Sequence, residues 1–123
     1  MGNPVVHFEV SGEHPHRLRE YYAQLFGWEF DTDSPVAPSV SEAGQYGFMN
    51  AEAGIPGGIG GGSGYPNHAM FYVGVDDVHA ALADAERLGG TRVFDPEANP
   101  NGQLVVAHFR DPDGNLIGLA GPR

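Results

Sequence analysis

Two stretches decide the fold: Val5-Val6-His7-Phe8-Glu9-Val10 and, 63 residues further on, His68-Ala69-Met70-Phe71-Tyr72-Val73. In the first, Phe8 and Val10 fall on one face and His7 and Glu9 on the other. In the second, Phe71 and Val73 oppose Met70 and Tyr72, and His68 shares the Met70 face. A period of two is the mark of a strand whose faces meet different surroundings. The same offset pairs His16 with His79, Leu25 with Leu88 and Gly27 with Gly90. An internal repeat therefore sets the architecture.

Working outward, a helix follows each strand. Leu18, Tyr21, Tyr22, Leu25 and Phe26 fall at helical spacing, with Pro15 suited to the first turn and Gly27 to the C-cap. Val78, Ala81, Leu82, Ala85 and Leu88 make the second stripe, with Asp76 or Asp77 as N-cap and Gly89-Gly90 as the stop. Short strand segments come next: 28–31, 45–50 and 57–60 in the first half, then 91–94, 104–109 and 116–120 in the second. Asp111-Pro112-Asp113-Gly114-Asn115 is the turn joining the last two. Gly60 to Gly64 reads as the linker between the halves. The expectation is an α+β fold in one domain, 1–123, built from two tandem βαβββ modules at about 4–61 and 67–121. Their strands join into a curled mixed sheet, a cup with helices on its outer face. Phe8, Val10, Phe71 and Val73 would pack under the helices, and His7, Glu9, Met70 and Tyr72 would line the cup.

Composition narrows the function. The 123 residues carry 16 acids against 6 bases, a net charge of −10, and the chain has no cysteine. All six bases are arginine, so Schiff-base chemistry and a phosphate-loop lysine are excluded. The acidic balance disfavours nucleic acid and weakly favours cations. No apolar run is long enough to cross a membrane, and Met1-Gly2-Asn3-Pro4 does not open a basic and then apolar leader pattern, so a cytoplasmic protein is the expectation.

The residues Val6-His7-Phe8-Glu9-Val10, Tyr22 to Trp28, Val75 to Val78 with Leu88-Gly89-Gly90, and Phe109 to Asn115 resemble the vicinal oxygen chelate superfamily. Glyoxalases, bleomycin-resistance proteins, fosfomycin-resistance enzymes and extradiol dioxygenases belong to it. The resemblance runs from residue 5 to about 120 and implies four metal-ligand positions. These fall here on His7, Met70, Gly58 and Gly118. Only His7 is an ordinary ligand for a divalent metal, since a thioether is too soft and glycine has no side chain. The superfamily's metal site looks dismantled, and no cofactor is expected. The alternative is a variant divalent-metal site of His7, Glu9 and His68, near which His108 could lie, although His68 is expected in register with Val5 rather than His7.

The candidate ligand-binding residues are His7, Glu9, His68, Met70 and Tyr72, with His7 and Glu9 as candidate catalytic groups. His7 would be a base or a hydrogen-bond donor. Glu9 would accept a proton, neutralise a cationic ligand or fix the His7 tautomer; its plainer role is a solvated rim carboxylate. Met70 and Tyr72 would form a soft wall for a flat molecule, or simple core. Trp28 reads as a packing anchor beside Phe26 and Phe30. The resemblance implies a small-molecule binding protein of the bleomycin-resistance type, acting as a homodimer on a small organic ligand. The alternative is a metal-dependent or His/Glu-assisted lyase, isomerase or dioxygenase. A third reading is a regulatory module whose cup is closed by Tyr72, Met70 and Phe48.

Overall fold

The computed structural model describes residues 2–50 and 54–123. Nine elements follow in chain order: β1 (Val5–Gly12), α1 (Pro15–Phe26), β2 (Gly47–Met49), β3 (Gly57–Gly61), β4 (His68–Gly74), α2 (Val78–Arg87), β5 (Thr91–Ala98), β6 (Leu104–Arg110) and β7 (Leu116–Pro122). The strands form one mixed sheet in the order β2-β3-β1-β4-β7-β6-β5. The fold is α+β, as the repeat predicts. The two halves meet where β1 runs antiparallel to β4, with Phe8 opposite Phe71. Those two residues are also mates in the sequence repeat, so they mark its pseudo-twofold axis.

Local signals act where the sequence places them. Pro15 stands in the first turn of α1, and Gly27 caps it with φ of 73°, a conformation glycine adopts without steric cost. At the start of α2 the Asp77 carboxylate accepts from the Ala80 N–H at 3.1 Å. The Asp111 carboxylate accepts from the backbone N–H groups of Asp113 and Asn115, closing the turn into β7.

Three expectations need correction. The segment 28–31 is not a strand: only Asp31 bridges, to Phe48. Residues 32–46 instead form a loop that enters the cup, where Ala37, Val40, Ser41 and Tyr46 are buried. Pro35 and Pro38 explain this, because neither can donate to a ladder. The loop is fastened by Asn99 Oδ1, which accepts from the Ala37 N–H at 3.0 Å, and by Ser41 Oγ, which donates to the Gly61 carbonyl at 3.1 Å. Second, Gly60 and Gly61 belong to β3, an interior strand, and not to the linker. Third, the α1 stripe is largely uncovered: Tyr21, Leu25 and Phe26 are each more than half exposed. On the sheet face below it, Phe8 is only half-buried and Phe71 is exposed.

The core has two parts. On the outer face, Val78 and Leu82 of α2 pack with Val105, Ala107 and Leu119. Inside the cup, Met70, Tyr72, Val106 and Ala120 pack with Ala37, Val40 and Tyr46. The expected placement of Met70 and Tyr72 on the concave face holds. No described helix is long and apolar enough to cross a membrane.

Candidate functional site

The site is built from the middle of β1 outward. Glu9 points into the cup and is 1% exposed. A carboxylate so deeply buried needs hydrogen-bond donors on its oxygens. Tyr46 Oη and Tyr72 Oη each donate to Oε1 at 2.9 Å. His68 Nε2 lies 2.7 Å from Oε2. Each phenol has one proton and gives it to Glu9, which fixes the next pair of bonds. His7 Nε2–H donates to Tyr46 Oη at 2.9 Å, and His108 Nε2–H donates to Tyr72 Oη at 2.7 Å. The tautomers follow from this proton count. Every donor in the set thus aims at one carboxylate, directly or through one phenol.

Burial and charge act on this set together. Desolvation, and then the negative Glu9, hold the Tyr46 and Tyr72 phenols well above their ordinary range. Desolvation lowers His7, and Glu9 opposes it only in part. His108 falls to about 4, chiefly by desolvation, with Glu9 opposing and His68 adding to the fall. Burial thus favours the neutral form of His7 and His108 at pH 7, and the Nε2–H tautomer of each keeps the donor role.

Above this floor lies a cavity of about 200 Å³. His7, Glu9, Tyr46 and Tyr72 supply its polar side, and Val36, Val40, Phe48, Leu104 and Val106 its apolar walls. Asn99 also lines it: Oδ1 is committed to Ala37, while Nδ2 has no partner among the described residues.

Of the five residues expected from sequence to bind a ligand, the structure brings His7, Glu9 and Tyr72 to the cavity. Met70 is buried in the cup core beside them. His68 bonds Glu9 from behind. It stands in register with Ser11, not Val5, because the repeated strands pair antiparallel. His68 Nδ1 and Ser11 Oγ are both buried without partners among the described residues. His108, expected near the cup, joins the network. Glu9 is not a solvated rim group. Trp28 packs against Tyr22, Phe26 and Phe8. Tyr46, the residue that links His7 to Glu9, was missed from sequence, as was Asn99. A signal for Tyr46 existed: it shares a strand-like segment with Phe48, two residues on, facing the glycines of β3.

Those glycines bear on the metal positions. Glu9 stands opposite Gly58 in the β1–β3 ladder, and Tyr72 opposite Gly118 in the β4–β7 ladder. A Cβ at Gly58 would fall within the Tyr46 ring, and one at Gly118 within the Tyr72 ring. The space that ligand side chains would use is filled by two phenols. Met70 is a poor donor, and His7 Nε2 is spent on Tyr46. These four positions do not fit a divalent metal. The alternative set of His7, Glu9 and His68 is not gathered around one point: His7 reaches Glu9 only through Tyr46. Among the described residues no group of three or more His, Asp or Glu is placed to hold a metal.

Comparison with known proteins agrees with this architecture. The sequence profile of the Glyoxalase/Bleomycin resistance protein/Dioxygenase superfamily matches residues 5–119, and the chain belongs to that superfamily. A hypothetical protein from Bacillus halodurans C-125 superposes with a TM-score of 0.72 at 13% identity, over 100% of this chain and 96% of that one. A methylmalonyl-CoA epimerase variant from Streptomyces coelicolor, solved with 2-nitronate-propionyl-CoA, gives 0.63 at 16% identity, over 97% and 94%. A superfamily member from Vibrio splendidus 12B01 gives 0.60 at 14% identity, over 99% and 100%. At these identities the likeness is one of fold. No curated protein sequence matches the chain.

Proposed function

We propose that this member of the glyoxalase/bleomycin-resistance superfamily is a metal-independent small-molecule binding protein whose ligand enters the cavity above Glu9. One observation carries the reading: the Tyr46 and Tyr72 rings occupy the space over Gly58 and Gly118 and turn their hydroxyls to Glu9. A preformed, mostly apolar cavity with a few convergent polar groups is the usual form of a small-ligand site. Lyase, isomerase and dioxygenase chemistry through a metal loses support with the donor set. Glu9 as a free general base loses support too, because its oxygens already accept three bonds. The homodimer implied by the resemblance remains part of the proposal. The sheet of one chain already carries both halves of the cup, so the second copy is not needed to complete it.

The test is a fragment screen of the whole protein by NMR. Compact single-ring compounds are expected to shift resonances of Tyr46, Tyr72 and Val106 together. Asn99→Asp, which keeps an Oδ1 acceptor for the Ala37 N–H and removes the unpaired amide protons, should weaken those compounds that carry an acceptor. Shifts confined to the protein surface across the screen would refute the reading.

A further inference from the structure

The chemistry of the ligand can be narrowed from the balance of charge at the cavity, an inference that rests on the binding reading above. The lining includes the Glu9 carboxylate and no arginine, and the chain has no lysine. Arg19, the one half-buried arginine, donates to the Gln45 carbonyl. The remaining arginines are exposed. The negative charge at the floor thus has no fixed cation among the groups lining the cavity.

The direction of the hydrogen bonds matters as much. The hydroxyl protons of Tyr46 and Tyr72 point down to Glu9, and the His7 proton on Nε2 points to Tyr46. A ligand therefore meets the ring faces of these groups and none of their protons, because each phenol oxygen is also taken by a histidine Nε2–H. Tyr46 and Phe48 lie with ring centroids 4.8 Å apart, and His7 lies 5.6 Å from Tyr72, so the lining near Glu9 is largely aromatic. Aromatic faces beside a buried carboxylate attract cations and repel anions. A net charge of −10 adds long-range attraction of the same sign.

We infer that the cavity selects a single-ring organic cation, an arylalkyl ammonium, over neutral and anionic molecules of the same shape. The ring fills the apolar space between Val40, Phe48 and Val106. The ammonium lies against the aromatic faces of Tyr46, Phe48 and His7, on the side of the cavity that holds the Glu9 charge. His7 stays neutral and does not compete for the charge.

Three probes of matched shape test this: benzylammonium, benzyl alcohol and benzoate. Each is titrated into the intact protein at pH 7.5 and ~0.15 M salt, where exposed charges are screened beyond about 8 Å. Binding is followed through the Tyr46, Tyr72 and Phe48 ring resonances. Benzylammonium should bind about tenfold or more tighter than benzyl alcohol, the scale of a desolvated cation–π contact. Benzoate should bind most weakly. Glu9→Gln, which keeps the shape and removes the charge, should shrink the preference for benzylammonium severalfold and leave only the part that the aromatic faces supply. Equal or tighter binding of the alcohol or of benzoate at these rings would overturn the inference and leave the cavity reading intact. So would a preference for the cation that is undiminished in folded Glu9→Gln. Silence of the cavity rings toward all three probes would sink both. If Glu9→Gln fails to fold, the ranking of the three probes on the native protein still decides.

Discussion

The two halves of the chain repeat one pattern and spend it differently. In the second half the helix does what its stripe predicts: Val78 and Leu82 of α2 are buried against Val105, Ala107 and Leu119. In the first half the stripe of α1 stays in the open, with Leu25 and Phe26 each 55% exposed. Its repeat of the strand after the helix is replaced by a loop that turns into the cup and brings Tyr46 over Glu9. The second half thus supplies the packed helix–sheet frame, and the first supplies the larger share of the cavity lining, to which Tyr72, Asn99, Leu104 and Val106 of the second half are added. Equal sequence periodicity does not imply equal burial. Burial depends on what the rest of the chain lays against each stripe.

The largest expected effect tests this division. Leu82→Ala removes a fully buried side chain and should destabilise by about 2–5 kcal/mol. Leu25→Ala, on the exposed stripe of the other helix, should stay within about 0.5 kcal/mol for an isolated chain. Denaturant unfolding of both variants measures the contrast. Equal losses would mean that α1 is covered in solution by something that one chain does not provide.

The second effect reads the cup. His108 is held near 4 in the folded state, against 6.5 for an ordinary histidine. The unfolded chain therefore binds more protons between these values, and stability must fall as pH drops from 6.5 toward 4. At about 1.4 kcal/mol per unit, the loss from this residue approaches roughly 3 kcal/mol. His7 is displaced in the same direction and adds to it. Unfolding midpoints measured across this window for the native protein and for His108→Gln should show a shallower slope in the variant.

Much of this was legible in the residues. The alternation of β1 and β4 set the concave and convex faces, and Pro15, Gly27 and Asp77 marked helix ends where they stand. The resemblance pointed to Gly58 and Gly118 as former ligand positions. The loop 32–46 was not legible, because no periodicity announces that a proline-broken segment will fold into a cup. The partner of His68 was misread for a geometric reason. Repeats align head to head in sequence, whereas their first strands pair head to tail about the axis through Phe8 and Phe71. That places His68 beside Ser11, within reach of Glu9.

A smaller effect sharpens the same comparison. Gly58→Ala and Gly118→Ala would each press a methyl into a phenol ring, Tyr46 in one half and Tyr72 in the other. Each should cost about 1–3 kcal/mol through overpacking. The cost at Gly58 should be the lesser, because Tyr46 sits at the end of a loop, whereas Tyr72 is fixed within an interior strand. Thermal unfolding of the two variants side by side gives the difference, and the reverse order would mean that the loop is as rigid as the sheet.

The central claim, that two phenols and a carboxylate stand where the superfamily's metal site would be, is tested most directly by calorimetry. Chelator-stripped protein is titrated with Zn²⁺, Ni²⁺, Mn²⁺ and anaerobic Fe²⁺, and the titrations are repeated on His7→Ala. The account predicts only weak, salt-sensitive heats of an acidic surface, the same in both proteins. Tight stoichiometric binding that disappears in His7→Ala would contradict it.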